Sequence, residues 1–158
     1  MNKDEELLIA LRRVIRAISL HSRQLNKVAG LTSPQLLVIQ YIHKHPNVIV
    51  RQLAEGINLS PATVTSILDR LETKRLVQRI RSTEDKRRVE VLLTHEGEQA
   101  LNKAPMLLQE HFLNRFAKLE EWEQSQMVAM MQRMALMMDA QDLDAAAVLE
   151  VGNIDTKQ

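Results

Sequence analysis

The chain has 158 residues, 45% hydrophobic and 26% charged, enough for one domain with a real core plus an assembly element. Its lack of cysteine excludes disulfides, thiol redox chemistry and thiolate metal sites. The net charge of +1 conceals a gradient: residues 1–50 carry 7 Lys/Arg against 3 Asp/Glu, residues 51–93 carry 9 against 6, and residues 94–158 carry 5 against 11. Such a division suits a part that faces a polyanion and another that assembles or stays solvated.

The opening "MNKDEELL" lacks the basic-then-apolar form of a signal peptide, and no apolar run reaches membrane-spanning length. The expectation is a cytoplasmic chain without a membrane partner. Four glycines and four prolines favour long helices over a loop-rich β fold. Leu7, Leu8, Leu11, Val14, Ile15, Ile18 and Leu25 recur at three- and four-residue spacing, the stripe of an amphipathic helix that Gly30 ends. Thr32 or Ser33 caps a second helix with Pro34 in its first turn. "QLLVIQYI" is apolar on nearly every side, so this helix belongs at the centre, and His45-Pro46 stops it.

In "VIVRQLAEGIN" the residues Val50, Leu53, Ala54 and Ile57 share one face, with Gly56 assigned to the turn. Ser60 caps the next helix, Pro61 begins it, and Val64, Ile67, Leu68 and Leu71 form its inner stripe. Two short helices across a tight turn are the form of a helix-turn-helix. "LVQRIRS" and "RRVEVLLT" then read as two strands joined by "STEDK". From Glu96 the helical pattern returns, with Pro105 expected to kink one long helix, and a final helix carries Met127, Met130, Met131, Met134, Met137 and Met138. The stretch after Asp142 has little periodicity and reads as a loosely ordered tail.

Helix, helix, turn, helix, strand, strand is the order of a winged helix-turn-helix. The residues "SPATVTSILDRLETKRLV" and "DKRRVEVLLTHEG" resemble the multiple antibiotic resistance regulator (MarR) family, whose wing pattern falls on Asp85, Arg87, Leu93, Thr94 and Gly97. "GLTSPQLLVI" is similar to the family's entry into its second helix. The family usually has glycine where this chain has Arg75. The resemblance implies a mainly α fold with a small β-wing in a dimeric MarR-like architecture. It divides the chain into a dimerisation helix (1–30), a DNA-binding lobe (31–95), C-terminal dimerisation helices (96–141) and a flexible tail (142–158). "ALRRVIRAISLHSRQL" and "QEHFLNRFAKLEEWEQSQM" look most like the branch that represses compatible-solute (ectoine and glycine betaine) genes, which implies a role in osmotic stress.

The inward stripe of the helix that Ser60 caps turns Ala62, Thr63, Thr65, Ser66, Asp69 and Arg70 outward or sideways, and Pro61 at its start joins the candidate DNA contacts. Small residues admit the helix to a major groove, hydroxyls and Thr methyls read base edges, and Arg70 reaches guanine or phosphate. On the wing, Arg79, Arg81, Lys86, Arg87 and Arg88 suit a narrow minor groove. The family pattern implies that Asp85 holds Arg87 by an ion pair rather than touching DNA. Against this stand the readings of a plain solvated helix face and of a winged helix that binds only protein; the crowding of arginines disfavours both.

Leu8, Leu11, Ile15, Phe112, Phe116, Met127, Met131, Met134 and Met138 form apolar seams best covered by a second subunit, making the chain a homodimer. Arg12, Arg13, Arg16 and Arg23 either pair with acidic residues of the C-terminal third or bind an anionic small-molecule effector. The five histidines have no metal-ligand spacing, and no phosphate loop or nucleophile elbow is present. The expectation is therefore a double-stranded DNA-binding repressor acting on a pseudo-palindromic operator, without cofactor, metal or catalysis.

Overall fold

The computed structural model describes residues 2–143, 145 and 147–151. The first helix, α1 (Lys3–Ala29), is 27 residues long and ends at Gly30, whose φ of 67° closes it in the left-handed region. Thr32 caps α2 (Ser33–Lys44) in a reciprocal pair: the Gln35 N–H donates to Thr32 Oγ1 at 3.4 Å and the Thr32 N–H donates to Gln35 Oε1 at 3.1 Å. This helix buries Leu36, Val38, Ile39 and Ile42, as its all-round apolar sequence requires. His45 ends it and stacks on Tyr41 with ring centroids 4.0 Å apart.

Strand β1 (Val48–Ile49) leads directly into α3 (Val50–Ile57), and α4 (Pro61–Thr73) follows. Strands β2 (Val77–Arg81) and β3 (Val89–Leu93) complete an antiparallel sheet of order β1-β3-β2, in which Val48 pairs with Val91 and Arg79 with Val91 on the other side. The sequence shows two strands; the third has only two residues, too short for alternation to be visible. One core joins α2, α3, α4 and the sheet to the end of α1, through Leu25, Leu31, Leu36, Ile39, Leu53, Val64, Leu68, Leu71, Val77 and Val91.

Two local expectations are corrected. Gly56 lies inside α3 rather than in the turn, and the left-handed turn residue is Asn58 with φ 55°, a type that tolerates this region. Gly56 is needed instead for close approach, because a Cβ there would run into the Tyr41 ring. Pro105 does not kink one long helix; it separates α5 (His95–Lys103) from α6 (Leu108–Phe116). Ala104, the residue before it, sits at ψ 135°, the extended region that a following proline imposes. Leu107 uses the break to enter the core at 1% exposure.

The last helix, α7 (Glu121–Met137), buries none of its residues against its own chain. Part of the stretch expected to be loose is docked: Val148 is buried, the Leu149 N–H donates to Gln109 Oε1 at 3.2 Å, and the Ser22 hydroxyl donates to Glu150 Oε1 at 2.8 Å. Such long-range contacts leave no periodicity to read. Residues 144, 146 and 152–158 of that stretch lie outside the described residues.

Arg75 has φ 61°. A side chain costs on the order of 1 kcal/mol in this region, where glycine is free of the penalty but loses part of the gain through a more mobile unfolded chain. Arg75→Gly is expected to raise stability by about 0.5 kcal/mol, seen as a higher urea midpoint at unchanged slope. A lower midpoint would show that the Arg75 side chain contributes more than its backbone costs.

Candidate nucleic-acid interface

The surface begins with the caps of α4. Ser60 Oγ accepts from the Thr63 N–H at 3.1 Å and lies 2.8 Å from the Thr63 hydroxyl. The cap fixes the first turn, which leaves Pro61, Ala62 and Thr65 exposed, while Thr63, Ser66 and Arg70 are half-buried. Thr63 is therefore engaged in capping as well as placed near the tip. Inward, Val64, Ile67, Leu68 and Leu71 are buried, so the outer row is fixed by the core beneath it.

The base of α4 is tied to the end of α1. The Lys74 ammonium donates to the Gly30 carbonyl at 2.8 Å and to Gln35 Oε1 at 3.3 Å. Burial, with Arg70 nearby, holds this amine below the ordinary lysine range. Beside it, the root of the wing is locked by Thr94, whose N–H donates to the Leu76 carbonyl at 3.0 Å and whose hydroxyl donates to the Arg75 carbonyl at 2.6 Å. Thr94 Oγ1 also accepts from the Gly97 N–H at 3.0 Å. Gly97 has no room for a side chain, because a Cβ would collide with the Leu76 carbonyl oxygen.

The tip of the wing closes on itself. Ser82 donates its N–H to the Arg88 carbonyl at 2.9 Å, and Arg88 donates its own to the Asp85 carbonyl at 2.9 Å. Asp85 Oδ1 accepts from the Arg87 N–H at 3.0 Å. The expected ion pair to the Arg87 guanidinium is not formed among these contacts: Asp85 organises Arg87 through its backbone, and its carboxylate lies 3.8 Å from Arg88 Nε. Backbone capping satisfies the carboxylate in so tight a turn, and the Arg87 side chain stays exposed. Arg81, Lys86, Arg87 and Arg88 are all exposed.

Arg79 departs from the expectation that it faces DNA with the other wing arginines. Its guanidinium folds back onto α4, where Nη2 bonds both Asp69 and Glu72 and Nε donates to Glu72 at 3.0 Å. These bonds raise its pKa further, the Glu72 hydrogen bond most.

The seams assigned to assembly lie open on the single chain. Leu8, Ile15, Phe112, Met127, Met131 and Met138 are exposed, and Leu11, Phe116 and Met134 are half-buried. At the α1–α6 junction, His21 Nε2 accepts from the Leu108 N–H at 3.1 Å; burial lowers its pKa, with Glu150 opposing and His111 reinforcing the shift. Among the described residues no three His, Asp or Glu side chains gather as a metal site, and no helix is long and apolar enough to cross a membrane.

A small antiparallel sheet thus stands with its hairpin beside a capped helix whose outer face is exposed. The MarR family model matches residues 31–89, α2 through the first residue of β3. The transcriptional regulator HosA of Escherichia coli is 34% identical over 103 residues, covering 63% of this chain and 76% of its own.

The chain belongs to the MarR family.

The transcriptional repressor MdtR of Bacillus subtilis (strain 168) is 31% identical over 93 residues, 59% of this chain and 60% of MdtR; the chain thus matches less than two thirds of that relative's length. Among solved structures, the PcaV regulator of Streptomyces coelicolor in complex with its natural ligand has a TM-score of 0.57 at 25% identity, covering 82% of this chain and 91% of PcaV. The S. aureus MepR–DNA complex, at 21% identity, shares the fold with a TM-score of 0.59 over 84% of this chain and 94% of that one. HosA and MdtR are both transcriptional regulators, MdtR a repressor.

Proposed function

We propose that this MarR-family chain represses transcription as a homodimer, with α4 in the major groove and the wing tip in the flanking minor groove of each half-site. The observation that carries this reading is the pairing of an exposed, small-residue helix face (Pro61, Ala62, Thr65) with four exposed basic side chains on a self-closed hairpin (Arg81, Lys86, Arg87, Arg88). Thr63 and Ser66 near the helix tip, and Arg70 in its last turn, read base edges or phosphates from its sides. Asp85 shapes the turn that presents Arg87. The MepR–DNA complex supports the reading by its fold.

The exposed seams of α1, α6 and α7 supply the dimer interface, so residues 1–30 and 96–141 act as assembly arms around the lobe 31–95. Two copies related by a two-fold axis then read a pseudo-palindrome with half-sites about one helical turn apart. A soluble repressor of this kind works in the cytoplasm. Its signal is ionic strength, in keeping with the likeness of α1, α6 and the start of α7 to the compatible-solute branch. Each phosphate contact releases a counterion, and a dimer making about 6–10 contacts loses roughly three to five decades of affinity between 50 and 200 mM salt.

Light scattering on the full chain is expected to give twice the mass of the 18.1 kDa protomer, and a duplex enriched from a random pool should outcompete random DNA. A clean monomer overturns the dimer. For the signal, operator binding is titrated with salt and, at fixed ionic strength, with osmolytes and aromatic acids. Release by an aromatic acid with little salt dependence overturns the osmotic reading and places the chain beside ligand-bound members such as PcaV.

A further inference from the structure

Arg79 is the wing-strand arginine whose guanidinium is turned away from the surface assigned to DNA. It is 26% exposed, and the fork formed by Nε and Nη2 grips Glu72 while Nη2 also bonds Asp69. Both carboxylates are on α4, and they remain 58% and 41% exposed. Asp69 stands one turn beyond Thr65 on the outer row of that helix, where α4 meets phosphates if it enters a groove. Two uncompensated carboxylates at that point would repel the DNA backbone. The contact also spans two elements, since Arg79 belongs to β2 and its acceptors to α4.

We propose that Arg79 is a positioning residue that neutralises Asp69 and Glu72 and sets the angle between recognition helix and wing, rather than a DNA contact. This rests on the DNA-binding reading of the same surface. Arginine suits the role because one planar fork satisfies two carboxylates at once, which a lysine ammonium does with poorer geometry. The carboxylates in turn are what hold Arg79 away from phosphate. Asp69 and Glu72 thereby impose a requirement on position 79 that neutral side chains would remove.

A mutant cycle on the full chain separates this from a phosphate contact. The probe is a duplex enriched from a random pool by the wild-type protein, followed by fluorescence anisotropy across a salt series. Arg79→Gln is expected to weaken binding by about tenfold, the order of a lost charge-assisted interaction. In the Asp69→Asn, Glu72→Gln background the same change is expected to cost less than about threefold and to leave the salt slope unaltered. Arg79→Lys, which keeps the charge but not the fork, should fall between wild type and Arg79→Gln in the native background. Urea midpoints of every variant are measured alongside, and the Arg79→Lys comparison carries the test if Arg79→Gln fails to fold. Equal losses in both backgrounds, with the slope falling by about 0.9 per contact, would make Arg79 a phosphate ligand and overturn the proposal alone. Failure of the wild-type protein to bind or enrich any duplex overturns this inference together with the DNA-binding reading beneath it.

Discussion

Leu68→Ala is expected to lower the free energy of unfolding by about 3–4 kcal/mol, a large share of the roughly 5–15 kcal/mol that holds a domain of this size together. Leu68 is fully buried on the inner face of α4, in one cluster with Leu36, Leu53 and Leu71. Truncation removes three carbons' worth of apolar burial and leaves a cavity that helices anchored on three sides cannot collapse. The loss reaches function as well, because the outer row of α4 is seated on this inner row. Urea unfolding followed by circular dichroism gives the number directly. The volume-conserving Leu68→Met should cost under about 1.5 kcal/mol. If the alanine variant stayed within 1 kcal/mol of wild type, α4 would not be seated on the core as described.

The largest effect on binding is expected from the triple substitution Lys86→Gln, Arg87→Gln, Arg88→Gln. These side chains are exposed at the wing tip, and the tip is closed by backbone bonds and the Ser82 and Asp85 side chains, so the hairpin should survive their loss. Each phosphate contact removed takes about 0.9 from the slope of log affinity against log salt, which near 0.1 M corresponds to about eightfold in affinity. With two wings in a dimer, the triple variant should lose several decades for operator and random DNA alike. By contrast Thr65→Ala should reduce operator affinity more than random binding, since it bears on base edges. Salt titrations by anisotropy distinguish the two patterns. An unchanged slope in the triple variant would remove the wing from the interface.

These expectations draw unequally on sequence and on tertiary structure. The ends of α1 and α2 and the start of α4 were legible because their causes are local: Thr32 and Ser60 cap, Pro34 and Pro61 sit in first turns, and Gly30 and His45 stop their helices. The inner stripe of α4 and the buried character of α2 follow from periodicity for the same reason. At Arg75 the sequence shows only a residue other than the family's usual glycine; the φ of 61° shows that the turn keeps its left-handed backbone all the same.

What the sequence left open depends on partners distant along the chain. Nothing near Gly56 announces that the Tyr41 ring will lie against it, and a two-residue strand at Val48 exists only because Val91 and Glu90 offer it a ladder. The docking of Leu149 on α6 and of Glu150 on α1 is of the same kind. Within the candidate interface, composition counted five basic wing residues as equivalent. Only the fold distinguishes them, by setting the α4 carboxylates of Asp69 and Glu72 against Arg79 and leaving Arg81, Lys86, Arg87 and Arg88 outward. Charge and helix type are written in the residues themselves, whereas which charge is already neutralised is a matter of distance, and distance is set by the packing of α4 against the sheet.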